Sequence, residues 1–182
     1  MRSRLALLDR DGTINVEKNY ILDPADLELI PNAAAGIRRL RELGLKVAVI
    51  TNQSPIGRGL LTRSGLDEIH GKLTTLLEAE GARLDGIYVC PHAPGDGCRC
   101  RKPGLELLER AAAELDADLS RSFFVGDKRI DIESGRAAGA TTILVATGYG
   151  PLQTFEPGCG PDARVDDLLG AARFIESVVG RP

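Results

Sequence analysis

The chain has no block of basic residues: 23 Lys and Arg stand against 26 Asp and Glu, for a formal net charge of −3 over 182 residues. A chain without a basic face is a poor partner for duplex nucleic acid or an anionic membrane surface. No apolar stretch approaches the roughly 18 residues of a membrane span, and Met1-Arg-Ser-Arg4 leads into a segment too short for a secretory signal. The expectation is a cytoplasmic protein that engages neither nucleic acid nor membrane. Internal repeats and low-complexity segments are also lacking. Cysteine is scarce, four in all. Three of them, Cys90, Cys98 and Cys100, fall within eleven residues beside His92, while Cys159 stands far away. That clustering argues against a disulfide framework and for a metal.

What is there is ordinary for a globular protein, 43% apolar and 27% charged. The length suits one domain over residues 1–182, able to bury about 70% of its unfolded surface in a single core, and a monomer is expected. Strand-like apolar runs recur at Leu5–Leu8, Lys46–Ile50, Gly86–Val89, Ser122–Val125 and Thr141–Val145. Helical periodicity fills the gaps at Asn32–Leu43, Thr62–Glu80, Gly104–Leu115 and Ile130–Ala138. Gly148–Pro161 reads as a surface loop, and Val165–Val179 as a short strand or turn with a closing helix. Alternating strand and helix predicts an α/β fold with a mainly parallel sheet covered on both faces.

Ligands in such sheets bind beyond the carboxyl ends of the strands. Four polar loops fall there: Asp9-Arg-Asp11-Gly12-Thr13, Thr51-Asn52-Gln53-Ser54, the Cys/His stretch ending in Arg101-Lys102, and Gly126-Asp127-Lys128 followed by Asp131. One such loop can be merely solvated, whereas four at one edge form a site. Two carboxylates one residue apart at the end of an apolar strand need a metal, a cation or raised pKa values. An aspartate, Asp9, can attack phosphorus and split hydrolysis into two easier steps. Asp11 can serve as the acid and base if its carboxyl swings toward the leaving group, with Arg10 directed elsewhere. Mg²⁺ suits carboxylate and phosphate oxygens, with Asp127 as a further ligand. Thr51 can hold phosphoryl oxygens and Lys102 can neutralise developing charge. Asp131 can ligate the metal, order it through water, or cap a helix.

These four ordered motifs resemble those of the haloacid dehalogenase (HAD) superfamily of phosphatases. The resemblance implies a HAD-like, Rossmann-like three-layer sandwich and Mg²⁺ dependence. It also implies Asp9 as nucleophile and Asp11 as general acid and base, with Asp11 reaching the metal through its backbone carbonyl.

Cys90-Pro-His92 and Cys98-Arg-Cys100 supply three thiolates and one imidazole, a closed tetrahedral set for Zn²⁺ with no position left for water. Such zinc is structural, shaping the loop over residues 90–100 and fixing Arg101 and Lys102 behind it. The zinc loop, with Thr51–Ser54, Gly57-x-Gly59 and Gly126-Asp127-Lys128, resembles the D-glycero-D-manno-heptose 1,7-bisphosphate 7-phosphatases, relatives of the histidinol phosphatases. That likeness implies a small phosphorylated sugar as substrate, in the biosynthesis of nucleotide-activated heptose. It carries over Asn52, Gln53, Ser54, Arg101, Lys102, Lys128, Glu17 and Tyr20 as substrate contacts. Only five residues separate His92 from Cys98, fewer than in longer family members, which leaves the sugar and its anomer open. No separate cap domain is expected, since one helix and short loops fill the gap from Thr13 to Thr51. Two alternatives stand beside this reading: a histidinol-phosphate phosphatase, and a zinc-stabilised binding module with a non-catalytic HAD fold. His70 reads as a packed or surface residue, Arg58 and Arg63 as solvated, and Cys159 as incidental.

Overall fold

Leu5–Leu8 forms β1 near the middle of a six-stranded sheet in the computed structural model, which describes residues 2–180. On one side of it lie β2 (Lys46–Asn52) and then β3 (Gly86–Cys90); on the other lie β4 (Phe123–Gly126), β5 (Thr141–Val145) and β6 (Ala163–Val165). The spatial order is β3-β2-β1-β4-β5-β6, and all five pairings are parallel.

The central strands are apolar throughout because each face of the sheet is covered. Ala6 and Leu8 join one buried cluster with Val47, Val49 and Val125, while Leu5 and Leu7 join a second with Ala48, Ile50 and Phe124. The first face is sealed by α1 (Ala33–Glu42), α3 (Arg63–Ala79) and α6 (Leu168–Val179), which bring Ile37 and Leu40, Ile69 and Leu73, and Ala171 and Ile175. The second is sealed by α4 (Glu106–Glu114), through Leu107, Leu108 and Ala111, and by α5 (Arg129–Ala137), packed on β4 and β5. This is the expected three-layer α/β sandwich. Between β1 and β2 stand a 3₁₀ turn at Pro24–Asp26 and α1, with no cap unit. No described helix is long and apolar enough to cross a membrane.

Two segments differ from expectation. β2 runs on through Thr51 and Asn52, which pair with Val89 and Cys90, because β3 extends far enough to continue the ladder. Ser54 then opens a single turn, α2 (Ser54–Gly57). The stretch from Gly148 is mostly exposed, as expected of a surface loop, except that Gly150 is buried at the head of a 3₁₀ turn. The chain steps from β1 through β2 to β3 on one side, then crosses back over to β4 on the other side of β1 and continues outward, so the crevice of the fold opens at the carboxyl ends of β1 and β4, where the winding reverses.

Candidate active site

Asp9 continues the β1–β4 ladder, its N–H donating to Val125 O at 2.9 Å, so its side chain emerges into the crevice. Asp9 Oδ1 accepts from the Arg10 N–H and from Lys102 Nζ, each at 2.8 Å. Among the described residues, no hydrogen bond reaches Oδ2. Lys102 comes from the loop after β3, is 3% exposed, and also reaches Ile50 O at 2.8 Å and Asp131 Oδ1 at 2.7 Å. Burial alone would lower the Lys102 pKa, but the charges of Asp131 and Asp9 raise it on balance.

Carboxylate oxygens of Asp9, Asp127 and Asp131, all buried, lie within 4.8 Å of one another. Asp127 Oδ2 accepts from the Tyr149 N–H at 2.8 Å, while its buried Oδ1 has no hydrogen-bond partner and lies 3.9 Å from Lys128 Nζ. Burial, and then the charge of Asp9, push Asp127 up to about 8. Asp131 accepts from the Lys128 N–H through Oδ2 at 3.0 Å, capping α5, and the same two causes push it up to about 6. Three crowded carboxylates against one buried ammonium are short of positive charge. A hard divalent cation supplies it, so the donor set fits Mg²⁺. Of the expected metal residues Asp9, Asp11, Asp127 and Asp131, the carboxylate of Asp11 stands outside this cluster.

Glycines make room for the trio. A Cβ on Gly12 would lie 2.2 Å from Asp127 Oδ2, and one on Gly148 would lie 2.3 Å from the same atom and 2.7 Å from Gly12 Cα. Thr147 Oγ1 donates to Gly12 O at 2.6 Å, tying the turn after β5 to the turn after β1.

Asp11 is held by four donor nitrogens from three residues. Its Oδ1 accepts from Arg10 Nη2 at 2.8 Å, Arg10 Nε at 3.2 Å and Asn15 Nδ2 at 2.9 Å; its Oδ2 accepts from Gln53 Nε2 at 2.9 Å. Burial opposes ionisation, but Arg10 and these hydrogen bonds hold the Asp11 pKa below the ordinary value. The expectation that Arg10 points elsewhere is therefore corrected. A guanidinium with no exit to water, 1% exposed, takes the nearest carboxylate. Its remaining nitrogen, Nη1, lies 3.2 Å from Nε2 of His70, which is half-buried on α3 as a packed histidine and has Arg10 as its polar partner.

A cavity of about 220 Å³ opens above these groups. Thr51, Gln53 and Ser54 line it from the end of β2, and Gln53 Nε2 donates to Thr51 Oγ1 at 2.7 Å. Asn52 also borders it, but its side chain clasps the Lys102 backbone: Oδ1 accepts from Lys102 N–H at 3.0 Å and Nδ2 donates to Lys102 O at 3.3 Å. Glu17, Tyr20, Lys128 and Arg101 form the rim, where Lys128 Nζ meets Glu17 Oε2 at 2.7 Å. Burial would lower the Lys128 pKa, yet Asp9, Asp127 and Glu17 raise it. Arg58 lines the cavity too, although its side chain is exposed as expected.

Cys90, at the end of β3, His92, Cys98 and Cys100 converge. Cys90 Sγ lies 3.6 Å from both His92 Nδ1 and Cys98 Sγ, and Cys100 Sγ lies 3.0 Å from Cys90 Sγ and 3.2 Å from His92 Nδ1. A tetrahedral zinc with bonds of about 2.3 Å sets donors about 3.8 Å apart, so the quartet is close to ligating spacing. Arg101 Nη1 donates to His92 O at 3.3 Å, which ties the rim to this loop.

Arg10, Asn15, His70 and the Thr147–Tyr149 turn are the contributors that sequence reasoning missed. The Thr147–Tyr149 turn had a signal, since it follows β5 at the same sheet edge as the four polar loops. Arg10 had one too, a cation wedged between two acids. His70 had none, because its partner lies 60 residues away.

A family model described as HAD-hydrolase-like matches residues 99–171. A D-glycero-β-D-manno-heptose-1,7-bisphosphate 7-phosphatase from Pseudomonas putida is 38% identical over 174 residues, covering 94% of this chain and 99% of that protein. A D-glycero-D-manno-heptose-1,7-bisphosphate 7-phosphatase from Thermosynechococcus vestitus is also 38% identical, over 92% of this chain and 93% of its own. The crystal structure of D,D-heptose 1,7-bisphosphate phosphatase from B. bronchiseptica complexed with magnesium and phosphate superposes with a TM-score of 0.88. It is 35% identical and covers 96% of this chain and 99% of that one.

Proposed function

Since this chain belongs to the HAD-like D-glycero-D-manno-heptose-1,7-bisphosphate 7-phosphatase family, we propose that it removes the 7-phosphate of that bisphosphate with Mg²⁺, in nucleotide-activated heptose biosynthesis. The observation that carries this reading is the buried trio of Asp9, Asp127 and Asp131 around Lys102 at the switch point of the sheet.

Asp9 attacks phosphorus, the bond from phosphorus to the sugar oxygen breaks, and that oxygen takes a proton from Asp11. Water then attacks the aspartyl phosphate and gives its proton back to Asp11, freeing phosphate and Asp9. The donors around Asp11 favour its carboxylate, the form that the second half needs; the anionic phosphoryl group arriving beside it favours the protonated form that the first half needs. Asp9, Asp127 and Asp131, with the Asp11 carbonyl, would hold the Mg²⁺, which screens carboxylate from phosphate when bound. Lys102 neutralises charge beside the attacking oxygen, and Thr51 offers its hydroxyl to the phosphoryl oxygens. Asn52, Gln53 and Ser54 shape the floor of the cavity, with Gln53 also holding Asp11. Glu17, Tyr20, Arg101 and Lys128 meet the sugar and the distal phosphate.

Zinc on Cys90, His92, Cys98 and Cys100 is structural in this reading. The parts of the site fall on one sheet, which supports reading the chain as one domain, and we take it to act as a cytoplasmic monomer. Purified protein with Mg²⁺ is expected to release phosphate from the 1,7-bisphosphate, with the α and β anomers compared by kcat/KM. Absence of turnover, or a higher kcat/KM on histidinol phosphate, would overturn the assignment.

A further inference from the structure

Arg10 is a buried cation whose planar guanidinium is committed at every edge. Nε and Nη2 both face Asp11 Oδ1, at 3.2 and 2.8 Å, and Nη1 faces His70 Nε2 at 3.2 Å. A guanidinium only donates, so His70 Nε2 accepts and the ring proton sits on Nδ1. The imidazole is neutral, since burial first and the Arg10 charge second push its pKa down to about 4. It stands on a seated helix, where Leu66, Ile69 and Leu73 of α3 are buried. Because the fork of a guanidinium is rigid, fixing Nη1 fixes the plane in which Nε and Nη2 meet Asp11.

We propose that His70 is a positioning residue for proton transfer: it anchors Arg10, and the anchored guanidinium holds the Asp11 carboxylate where it can reach the leaving oxygen and the attacking water. The role rests on the reading of Asp11 as acid and base. The hydrogen bond of the His70 side chain goes to Arg10 and not to Asp9, Lys102 or Thr51, so its loss leaves phosphate binding intact and misplaces only the proton. The effect belongs in kcat and not in KM.

The test compares His70→Leu, which removes the acceptor, with His70→Gln, whose amide oxygen occupies nearly the place of Nε2. Both are assayed on whichever phosphomonoester the wild-type protein hydrolyses fastest, so that a wrong sugar does not mimic a wrong role. His70→Leu is expected to lower kcat at least about tenfold with KM and the Mg²⁺ activation constant within twofold, and His70→Gln to restore kcat to within about threefold. A Leu variant with wild-type kcat, a Gln variant no better than Leu, or a KM that rises as kcat falls overturns the proposal. Hydrogen exchange at Arg10 Nε–H, followed by ¹⁵N NMR without substrate, keeps the anchoring separate from the assigned reaction. It is expected to speed up in His70→Leu and to stay slow in His70→Gln. Equal rates in all three proteins overturn the anchoring even if no phosphomonoester is hydrolysed.

Discussion

Lys102 Nζ and Asp9 Oδ1 are 2.8 Å apart, both side chains buried at the floor of the cavity, so the oxygen that Lys102 holds is fixed and, among the described residues, the other Asp9 oxygen is left without a hydrogen bond. Asp9→Asn keeps the shape and removes the nucleophile. Turnover is expected to fall at least about 10⁴-fold. The melting temperature in Mg²⁺-free buffer is expected not to fall, because one of three crowded carboxylates has been neutralised while Lys102 keeps Asp131. An unfolded variant, seen by circular dichroism, would return Asp9 to a structural role.

Asp127, raised from 3.8 to about 8, sets a pH dependence. Its proton is held by the folded chain and already lost by the unfolded one between those values, so metal-free stability falls as pH rises through the window. His70, pushed down to about 4, acts in the opposite sense but has completed its change by pH 7. Between about pH 7 and 8 the Mg²⁺-free melting temperature is expected to drop and then to level off, and saturating Mg²⁺ to flatten the drop by displacing the proton. Thermal melts with and without Mg²⁺ check this, and parallel curves would contradict it.

Gly148→Ala places a methyl group against Asp127 Oδ2 at a residue with φ of 55°. The strained backbone costs about 1–3 kcal/mol, and the displaced carboxylate is expected to weaken Mg²⁺ binding by about tenfold, as outer support of a metal ligand does. Gly158→Ala is the control, with φ of 78° and nothing within 4 Å. It is expected to lose stability alone. Calorimetric Mg²⁺ titration of the two variants separates the effects.

Cys100→Ser opens the quartet and is expected to reduce zinc from one ion per chain to a small fraction, read by elemental analysis. Arg101 then loses its fixed neighbour at His92. KM for the bisphosphate is expected to rise by about tenfold, the worth of one charge-assisted hydrogen bond, with a smaller change in kcat. A fall in kcat alone would place the zinc nearer the chemistry than its geometry does.

Most of the sheet was legible because its strands are continuous apolar runs that end abruptly in polar residues; Asp9, Thr51, Lys102 and Asp127 gather where that pattern predicts. The end of β2 was not legible, since Thr51 and Asn52 are polar and only the partner strand β3 shows that the ladder continues through them. Arg10 was misread for a related reason. Local spacing shows that a cation lies between two acids, but only the arrival of α3 with His70 decides which way it turns. Spacing left Asp131 open as a metal ligand, a ligand through water or a helix cap; the structure puts its carboxylate in the trio with Asp9 and Asp127 while one of its oxygens also caps α5. The Tyr149 contribution is a backbone N–H, which no side-chain motif can announce.

The clasp of Asn52 on Lys102 works as a splice. Chain entering from the zinc loop is gripped by a side chain of β2 immediately before it delivers its ammonium to Asp9. Length changes among the exposed residues Pro94–Gly97 are therefore absorbed upstream of the grip. The fold separates an exposed recognition rim from a buried, clasped charge centre, so selectivity for a new sugar phosphate can be engineered in that stretch without retuning the nucleophile.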